Sequence, residues 1–524
     1  MANMTLKEWV QKLDDAGLLN RITDETRVDE LPQIMEDNPS QAVLVENVKD
    51  CQVPFLSNAY ATEEMFTLAL GCTAEELPAE IARRKKAPRD TVTVQTSPLK
   101  DNVITGDDLD LAMLPWFCHH EHDGHAFIND CNVVSRNLGT GLLDTGEYRL
   151  QWRKRNETGI SLSNPSRNTR LNIQAYVDAG REMPVACVIG GTPHLKLSQM
   201  YTVEGYDDWQ VLGGLLGEPV ELVKCETNDL MVPASADIVL EGRMMVSEGP
   251  VHDEGPYGEY MVTYGGGLQH MWRIVWDCIT HRNGAIYEYA SIAGLHPGRS
   301  DMVDMTFTLA ADIYDALKSA AIDVVDLYLP PDAVSQIAYL KIRPHRAGDA
   351  NNALALMLTC SRQMVPKIAY VFDDDVDIRD PGDVSWAFGL RFNPEQGTLI
   401  LPRQNVNFLD PSLTTSEPPF FISKIGFDCT KPTVGDLSRF DRAVVVPPAV
   451  VPDDLTILDT DQLTDALEKF IRQAPRAWRE VVAEFAGHPY PALYHAFGRL
   501  RDRLGRREED SPTFPYRFID TGSE

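Results

Sequence analysis

Ala236-Asp-Ile-Val-Leu-Glu241 is a short apolar run in a series that starts near residue 125 and ends near residue 295. Asn172 to Val177, Pro184 to Ile189, Val220 to Cys225 and Ala285 to Tyr289 read the same way, with Gly, Pro, Asn and Asp between them. Short strands punctuated by turn formers predict a barrel or sandwich rather than a doubly wound sheet. The region has no GxGxxG and no Walker sequence, so neither a Rossmann-type dinucleotide site nor a P-loop has support.

On the N-terminal side, residues 5–18 place Leu6, Trp9, Val10, Leu13 and Leu18 near helical spacing. Gln41 to Val48 alternates as a strand. Residues 61–86 read as helical, with Glu63-Glu64 early and Arg83-Arg84-Lys85-Lys86 late, the charge order a helix dipole favours. On the C-terminal side, 301–325 reads as a long helix carrying Met305, Phe307, Leu309, Ile313, Leu317 and Ala320. Val324 to Leu329, Ala338 to Ile342, Lys367 to Phe372 and Thr398 to Leu401 then alternate with helical stretches, which predicts a helix-covered sheet. Residues 460–506 read as largely helical, with Leu463, Leu467, Phe470 and Ile471 suited to packing or oligomer contact. The Pro- and charge-rich tail from Glu508 is expected to be extended. The predicted class is α+β multidomain. An N-terminal α/β domain (1–115), a β-barrel domain (116–300), a linking helix (301–325), a C-terminal α/β domain (326–460) and a helical extension (461–524) follow in order.

The chain has 524 residues, 43% of them hydrophobic, enough for several cores. Its 48 basic against 78 acidic residues give a net charge of −30, which argues against a nucleic-acid partner. Nine cysteines include no CxxC pair, which fits a reducing compartment. Met1 to Asp15 has no apolar signal core, and no run of 18 apolar residues exists. A cytoplasmic protein without a membrane span is expected.

The chemistry is concentrated in Glu254-Gly-Pro-Tyr-Gly-Glu259-Tyr260. On a regular strand, positions five apart face opposite sides. Pro and Gly break that regularity, so a turn here can aim both acids into one cavity. Paired carboxylates in an enclosed site split their pKa values and can run acid/base chemistry. The plainer reading is a surface turn with incidental acids. Asp144-Thr-Gly-Glu147-Tyr148-Arg149-Leu-Gln151 pairs a flexible Gly with an Arg whose fork can hold a carboxylate. A surface strand with salt bridges is the plainer reading there.

These segments, with Val232-Pro-Ala-Ser-Ala-Asp-Ile-Val-Leu-Glu241-Gly, Val220 to Cys225, Val365-Pro-Lys367-Ile, Asp373 to Asp377 and Trp386-Ala-Phe, resemble the UbiD family of decarboxylases. The N-terminal helix and Gly17-Leu-Leu-Asn-Arg-Ile22 are similar as well, and the likeness runs in order over roughly residues 5 to 440. The resemblance implies a small N-terminal domain, a split β-barrel flavin domain and a C-terminal α/β domain that supports oligomers, as a homodimer or homohexamer. It implies reversible, non-oxidative decarboxylation with prenylated FMN, supplied by a flavin prenyltransferase. The acid is aromatic, heteroaromatic or α,β-unsaturated, and it reacts through a covalent adduct with the flavin, a cycloaddition product or a singly bonded one. Arg149, Glu254 and Glu259 fall on the catalytic positions, with Arg149 paired to Glu254 and Glu259 as proton donor. Glu147, Tyr148, Arg149, Ser166, Arg167, Ser198, Met200 and Lys367 fall on cofactor-binding positions.

The family holds its flavin phosphate through a divalent metal bound by Asn, His and Glu, with a monovalent cation such as K⁺ nearby. Here those positions read Asp144, Arg167 and Asp208. Two Asp residues suit Mn²⁺ or Mg²⁺. Arg167 cannot ligate a metal but can contact phosphate. His296 in Gly294-Leu-His-Pro-Gly298 is a candidate substrate contact and an equal candidate for a structural role. Cys118-His-His-Glu-His122 with His125 fits no zinc spacing, and Asp373 to Asp377 reads as an exposed strand end. A flavin-independent hydrolase using the Glu pair and a non-catalytic flavin-binding protein are the competing readings.

Overall fold

The computed structural model describes residues 3–162, 168–201, 203–264, 267–292, 294, 301–360, 366–413, 420–435, 437, 440, 442–443, 445, 447–501, 504–508 and 516–520. Its centre is a closed barrel of six antiparallel strands. Phe127–Arg136 pairs with Leu143–Lys154, which pairs with Glu157–Ile160, and that strand pairs with Gln269–His281. Gln269–His281 continues to Ile238–Met244, then to Met183–Ile189, which returns to Phe127–Arg136. Closure removes the open edges that short strands would otherwise present. Ile128, Val133, Leu150, Val185, Leu240 and Ile274 are buried in the barrel's core cluster.

Four of the five expected strands form where they are read, but in three different sheets. Glu221–Lys224 lies in a three-stranded sheet with Val92–Thr93 and Met231–Pro233. Tyr287–Tyr289 joins a four-stranded sheet with Leu19–Ile22, Ala42–Val45 and Phe55–Ser57, pairing parallel to the last. Met183–Ile189 and Ile238–Met244 are the two that become barrel strands, paired antiparallel. Asn172 to Val177 is not a strand. It lies in helix Asn168–Asp178, whose buried Thr169, Asn172, Ile173 and Tyr176 recur every three or four residues. Ile173 and Tyr176 reach the barrel core, so tertiary burial selects the helical period over the local strand signal.

Helix Leu6–Asp15 opens on a capping box, with Thr5 Oγ1 accepting from Glu8 N at 3.3 Å and the Glu8 carboxylate from Thr5 N at 2.7 Å. The helical stretch read over 61–86 is two helices, Glu63–Leu70 and Leu77–Lys85. Helix Asp304–Ser319 leads to a five-stranded sheet in the order Val324–Tyr328, Ile337–Ile342, Ile368–Asp373, Ile422–Asp428, Thr398–Gln404. Leu309, Ile313, Leu317 and Leu354 pack with Leu340 and Val371. Tyr339, Tyr370 and Phe372 alternate to the opposite face, where helix Pro381–Arg391 covers them. The strand Ile422–Asp428 escapes a reading by apolar runs because Ser423, Lys424 and Gly426 dilute it. Buried Lys424 is satisfied by Leu358 O at 3.1 Å. The Asp373 end is not wholly exposed either: Asp373 is buried, and Arg391 Nη2 donates to Asp375 at 2.7 Å.

Residues Met1–Thr430 form one compact unit and Lys431–Glu524 another. The second packs helices Thr460–Gln473, Trp478–Glu484 and Tyr490–Leu500 around Leu463, Leu467, Ile471 and Leu493. Beyond them Leu504–Glu508 pairs antiparallel with Tyr516–Asp520, where a helix end and an extended tail were expected. Backbone pairing holds that hairpin, and an apolar pattern does not report it. The architecture is α+β and multidomain. No described helix is long and apolar enough to cross a membrane.

Candidate active site

Arg149 lies in the barrel strand Leu143–Lys154, where side chains alternate between two faces. Tyr148 and Leu150 enter the barrel core, so Glu147 and Arg149 face outward. The segment after strand His252–Glu254 brings both acids to that outer face. Gly255 takes a φ of 90°, a backbone turn open to glycine, and Glu259 closes it by bridging to Thr263. Arg149 Nε and Nη2 donate to Glu254 Oε1 at 2.5 Å and Oε2 at 3.0 Å, and Nη1 donates to Glu259 Oε1 at 2.7 Å. The guanidinium also lies 4.1 Å from the Tyr257 ring centre.

This is no surface turn. Side-chain exposure is 13% for Arg149, 1% for Glu254 and 10% for Glu259. Burial pushes the Glu259 carboxyl above the usual glutamate range; Arg149 opposes the rise and Glu254 adds to it. Burial disfavours the Arg149 charge, but Glu259 and Glu254 more than offset that and hold the guanidinium protonated.

A second polar group lines the same wall. Lys196, in helix Pro193–Ser198, has a wholly buried side chain with Nζ 3.2 Å from Glu147 Oε1. Burial lowers its pKa, and Glu288 opposes the shift. Glu288 is pushed up to about 7 by burial against the pull of Lys196, and it accepts from Gly191 N at 2.8 Å. The sequence reading missed Lys196. Its signal was a lone cation between apolar neighbours in Pro193-His-Leu-Lys196-Leu-Ser198. Asn132 pairs in register with Glu147 on the neighbouring strand. Asn129 Oδ1, Asn132 Oδ1 and Gln199 Oε1 are buried and have no hydrogen-bond partner among the described residues. An acceptor left so costs roughly 1–3 kcal/mol. A ligand bringing N–H or O–H donors, as a flavin does, would satisfy acceptors of this kind.

Asp144 and Asp208 are both buried. Thr169 Oγ1 donates to Asp144 at 2.9 Å, and Thr145 N and Oγ1 donate to Asp208 Oδ2 at 2.6 and 3.2 Å. Burial, then the charge of Asp144, pushes the Asp208 carboxyl well above its usual range. A divalent cation would relieve that repulsion, so the donor chemistry fits one. Among the described residues, however, no three His, Cys, Asp or Glu side chains gather as a metal set.

The remaining candidates are less concentrated, Ser198 alone sharing the helix of Lys196. Ser198 Oγ donates to Leu195 O at 2.8 Å, and Met200 is buried. Lys367 Nζ is engaged by Asp410 at 2.9 Å and Ser412 at 3.2 Å. Ser166, Arg167 and His296 lie outside the described residues. The histidine-rich loop packs against the glutamate turn, where His120 meets Asp123 at 3.2 Å. His125 stacks on Trp152, 5.7 Å between ring centres.

Three family models match the chain, all described as parts of 3-octaprenyl-4-hydroxybenzoate carboxy-lyase. The N-terminal domain matches residues 10–85, the Rift-related domain 90–296 and the C-terminal domain 304–429. Among solved structures, the UbiD-class enzyme HmfF from Pelotomaculum thermopropionicum in complex with FMN is 27% identical with a TM-score of 0.77, covering 84% of this chain and 97% of that one. An evolved dimeric form of HmfF in complex with prFMN is 26% identical with a TM-score of 0.74, over the same 84% and 97%. Vanillic acid decarboxylase from Sedimentibacter hydroxybenzoicus, in its open form, shares the fold at 24% identity and a TM-score of 0.71, covering 90% of this chain and 100% of that one.

Proposed function

The chain belongs to the UbiD family of carboxy-lyases, and on that premise we propose that it decarboxylates an aromatic, heteroaromatic or α,β-unsaturated acid with prenylated FMN. Arg149, Glu254 and Glu259 are the catalytic residues of this reading. The observation that carries it is the buried Arg149 fork between two glutamates 105 and 110 residues away in sequence. A prenylated flavin bound beside them would supply the electron sink for the carbon that loses carbon dioxide. Glu147, Lys196, Asn132 and Ser198 are the groups of this chain that would hold it, and Asp144 with Asp208 would hold a divalent cation for its phosphate. Arg167 and Lys367 are assigned to the phosphate, K⁺ to the same region and His296 to the substrate.

Arg149 spends its fork on Glu254, which fixes the guanidinium and leaves one donor for Glu259. Glu259 meets that donor through one oxygen, and burial raises its pKa, which favours the protonated form a proton donor needs. Glu259 delivers this proton to the carbon from which carbon dioxide departs. Burial keeps water from supplying it instead. Family membership displaces the hydrolase reading. The sequence-based domain boundaries and a homodimeric or homohexameric assembly belong to this proposal.

The test is mass spectrometry of the cofactor released after co-expression with a flavin prenyltransferase, joined to carbon dioxide release from a panel of acids. A prenylated FMN mass is expected. Equal turnover with plain FMN would overturn the cofactor assignment. Glu259→Gln is expected to abolish turnover and to keep the flavin, and an active variant would remove Glu259 as donor.

A further inference from the structure

Part of what holds the two glutamates in place lies outside their own turn, in the loop from Cys118 to His125. Asp123 has a fully buried side chain. Its Oδ1 accepts from Gly258 N at 2.8 Å, midway through the Glu254–Glu259 turn. Its Oδ2 accepts from His120 N at 2.9 Å and faces His120 Nδ1 at 3.2 Å. The His120 ring in turn packs on Gly258 so closely that a Cβ there would lie 2.3 Å from Nδ1. One residue on, Gly124 N donates to Pro256 O at 2.7 Å, and a Cβ on Gly124 would meet Gly255 O at 2.1 Å. His122 N donates to Tyr264 Oη at 3.1 Å on the far side of the turn. The loop therefore grips the turn at Gly255, Pro256, Gly258 and Tyr264, and the carboxylate of Asp123 joins the two at their centre.

The charge of that carboxylate is preserved by its donors. Burial works against it, but the hydrogen bonds from His120 and Gly258 hold Asp123 below the usual aspartate range. His119 stacks on His120 at 4.2 Å between ring centres, and Tyr289 Oη lies 3.3 Å from His119 Nδ1. Burial, then the neighbouring His120, lowers the His119 pKa to about 3, so this ring adds no competing charge near neutral pH.

We propose that Asp123 is the positioning residue of the active site: through Gly258 N and the His120 ring it fixes the turn that presents Glu254 and Glu259 to Arg149. The proposal rests on the decarboxylase reading for its effect on turnover, and on geometry alone for its effect on the turn. It also predicts an electrostatic signature. Glu259 faces Arg149, Glu254 and Asp123, and the Asp123 charge raises its pKa. Removing that charge lowers the Glu259 pKa, so the alkaline fall in rate moves to lower pH.

The experiment compares Asp123→Asn, Asp123→Ala and His120→Gln in the full chain loaded by co-expression. Hydrogen exchange of the 254–264 peptide, read by mass spectrometry, needs no substrate. Asp123→Ala should speed its exchange by at least about 10-fold, because the Gly258 amide loses its acceptor. Asp123→Asn keeps an acceptor for Gly258, so its exchange and melting temperature should stay near the parent values. Asp123→Ala, which frees the turn, should lose kcat about 100-fold with KM little changed, the cost of displacing a catalytic group by about 1 Å, whereas Asp123→Asn should keep kcat near the parent value and move its alkaline limb down. His120→Gln should fall between the two in exchange. Unchanged exchange in Asp123→Ala would overturn the proposal, as would an Asp123→Ala variant within 3-fold of parent turnover or an Asp123→Asn variant with an unmoved alkaline limb. A parent protein that carries no flavin and turns over no acid would sink the decarboxylase reading instead, while the exchange comparison would still decide whether Asp123 holds the turn.

Discussion

Replacing Arg149 by Met tests the electrostatic account of the site most directly. The guanidinium makes three hydrogen bonds to two carboxylates whose side chains are 1% and 10% exposed. Methionine fills comparable space and removes the cation, leaving two buried like charges. Breaking a buried pair in this way costs about 3–5 kcal/mol where both acids remain ionised. Over the unit Met1–Thr430 the unfolding entropy is roughly 0.9 kcal/mol per degree, so the melting temperature should drop by about 3–6 °C at pH 8. The sign at lower pH follows from Glu259. Its folded pKa is already raised, so it binds its proton more tightly in the native state than in the unfolded chain. Stability tied to such a group is fully present below the unfolded pKa and is lost as pH rises through the folded pKa. Without Arg149 that folded pKa rises further, so the acid takes up its proton and sheds the repulsion as pH falls. The melting shift at pH 5 should therefore shrink to about 1–2 °C, what remains being lost hydrogen bonds. Differential scanning calorimetry at both pH values makes the comparison. Equal shifts at pH 5 and pH 8, or a shift under about 1 °C at pH 8, would refute the reasoning.

The parent enzyme's turnover should fall as pH rises through the raised Glu259 pKa, and Glu259→Gln should have no such limb because it has no turnover. A rate profile that is flat on the alkaline side would remove Glu259 from the proton step. Gly124→Ala pushes a Cβ against the backbone oxygen of Gly255, which no side-chain adjustment relieves, so it should destabilise by about 1–3 kcal/mol and reduce flavin content. Normal melting with full flavin loading would show that the loop can back away freely. Asp208→Asn should lower bound manganese, measured by elemental analysis, and lower flavin retention during dialysis. If Asp144 and Asp208 hold no cation, the same substitution relieves a carboxylate repulsion and raises the melting temperature at pH 8 with metal content unchanged.

Much of the fold was legible because its signals are local. Leu6, Trp9, Val10 and Leu13 recur at helical spacing and form a buried helix face. The runs at Pro184 to Ile189 and Ala236 to Glu241 become neighbouring barrel strands, because short apolar stretches between turn formers have few other uses. Where apolar content was diluted, as at Ile422–Asp428, or where strand and helix periods competed, as at Asn172 to Val177, local pattern was insufficient and burial decided.

The candidate site divides in the same way. Residue types along the chain determined which groups are available: an Arg after a flexible Gly, and two carboxylates flanking a turn. The tertiary structure decided what they are. It places Arg149 on the outer face of a closed barrel and carries Glu254 and Glu259 to it from over a hundred residues away. It adds Lys196, which no motif marked, and gives Asp123 a role that the histidine-rich stretch around it did not reveal, because desolvation and charge pairing depend on what surrounds a side chain in space. A carboxylate's pKa is set by that surrounding medium and not by its neighbours in sequence, so the raised pKa of Glu259 exists only once the chain has folded.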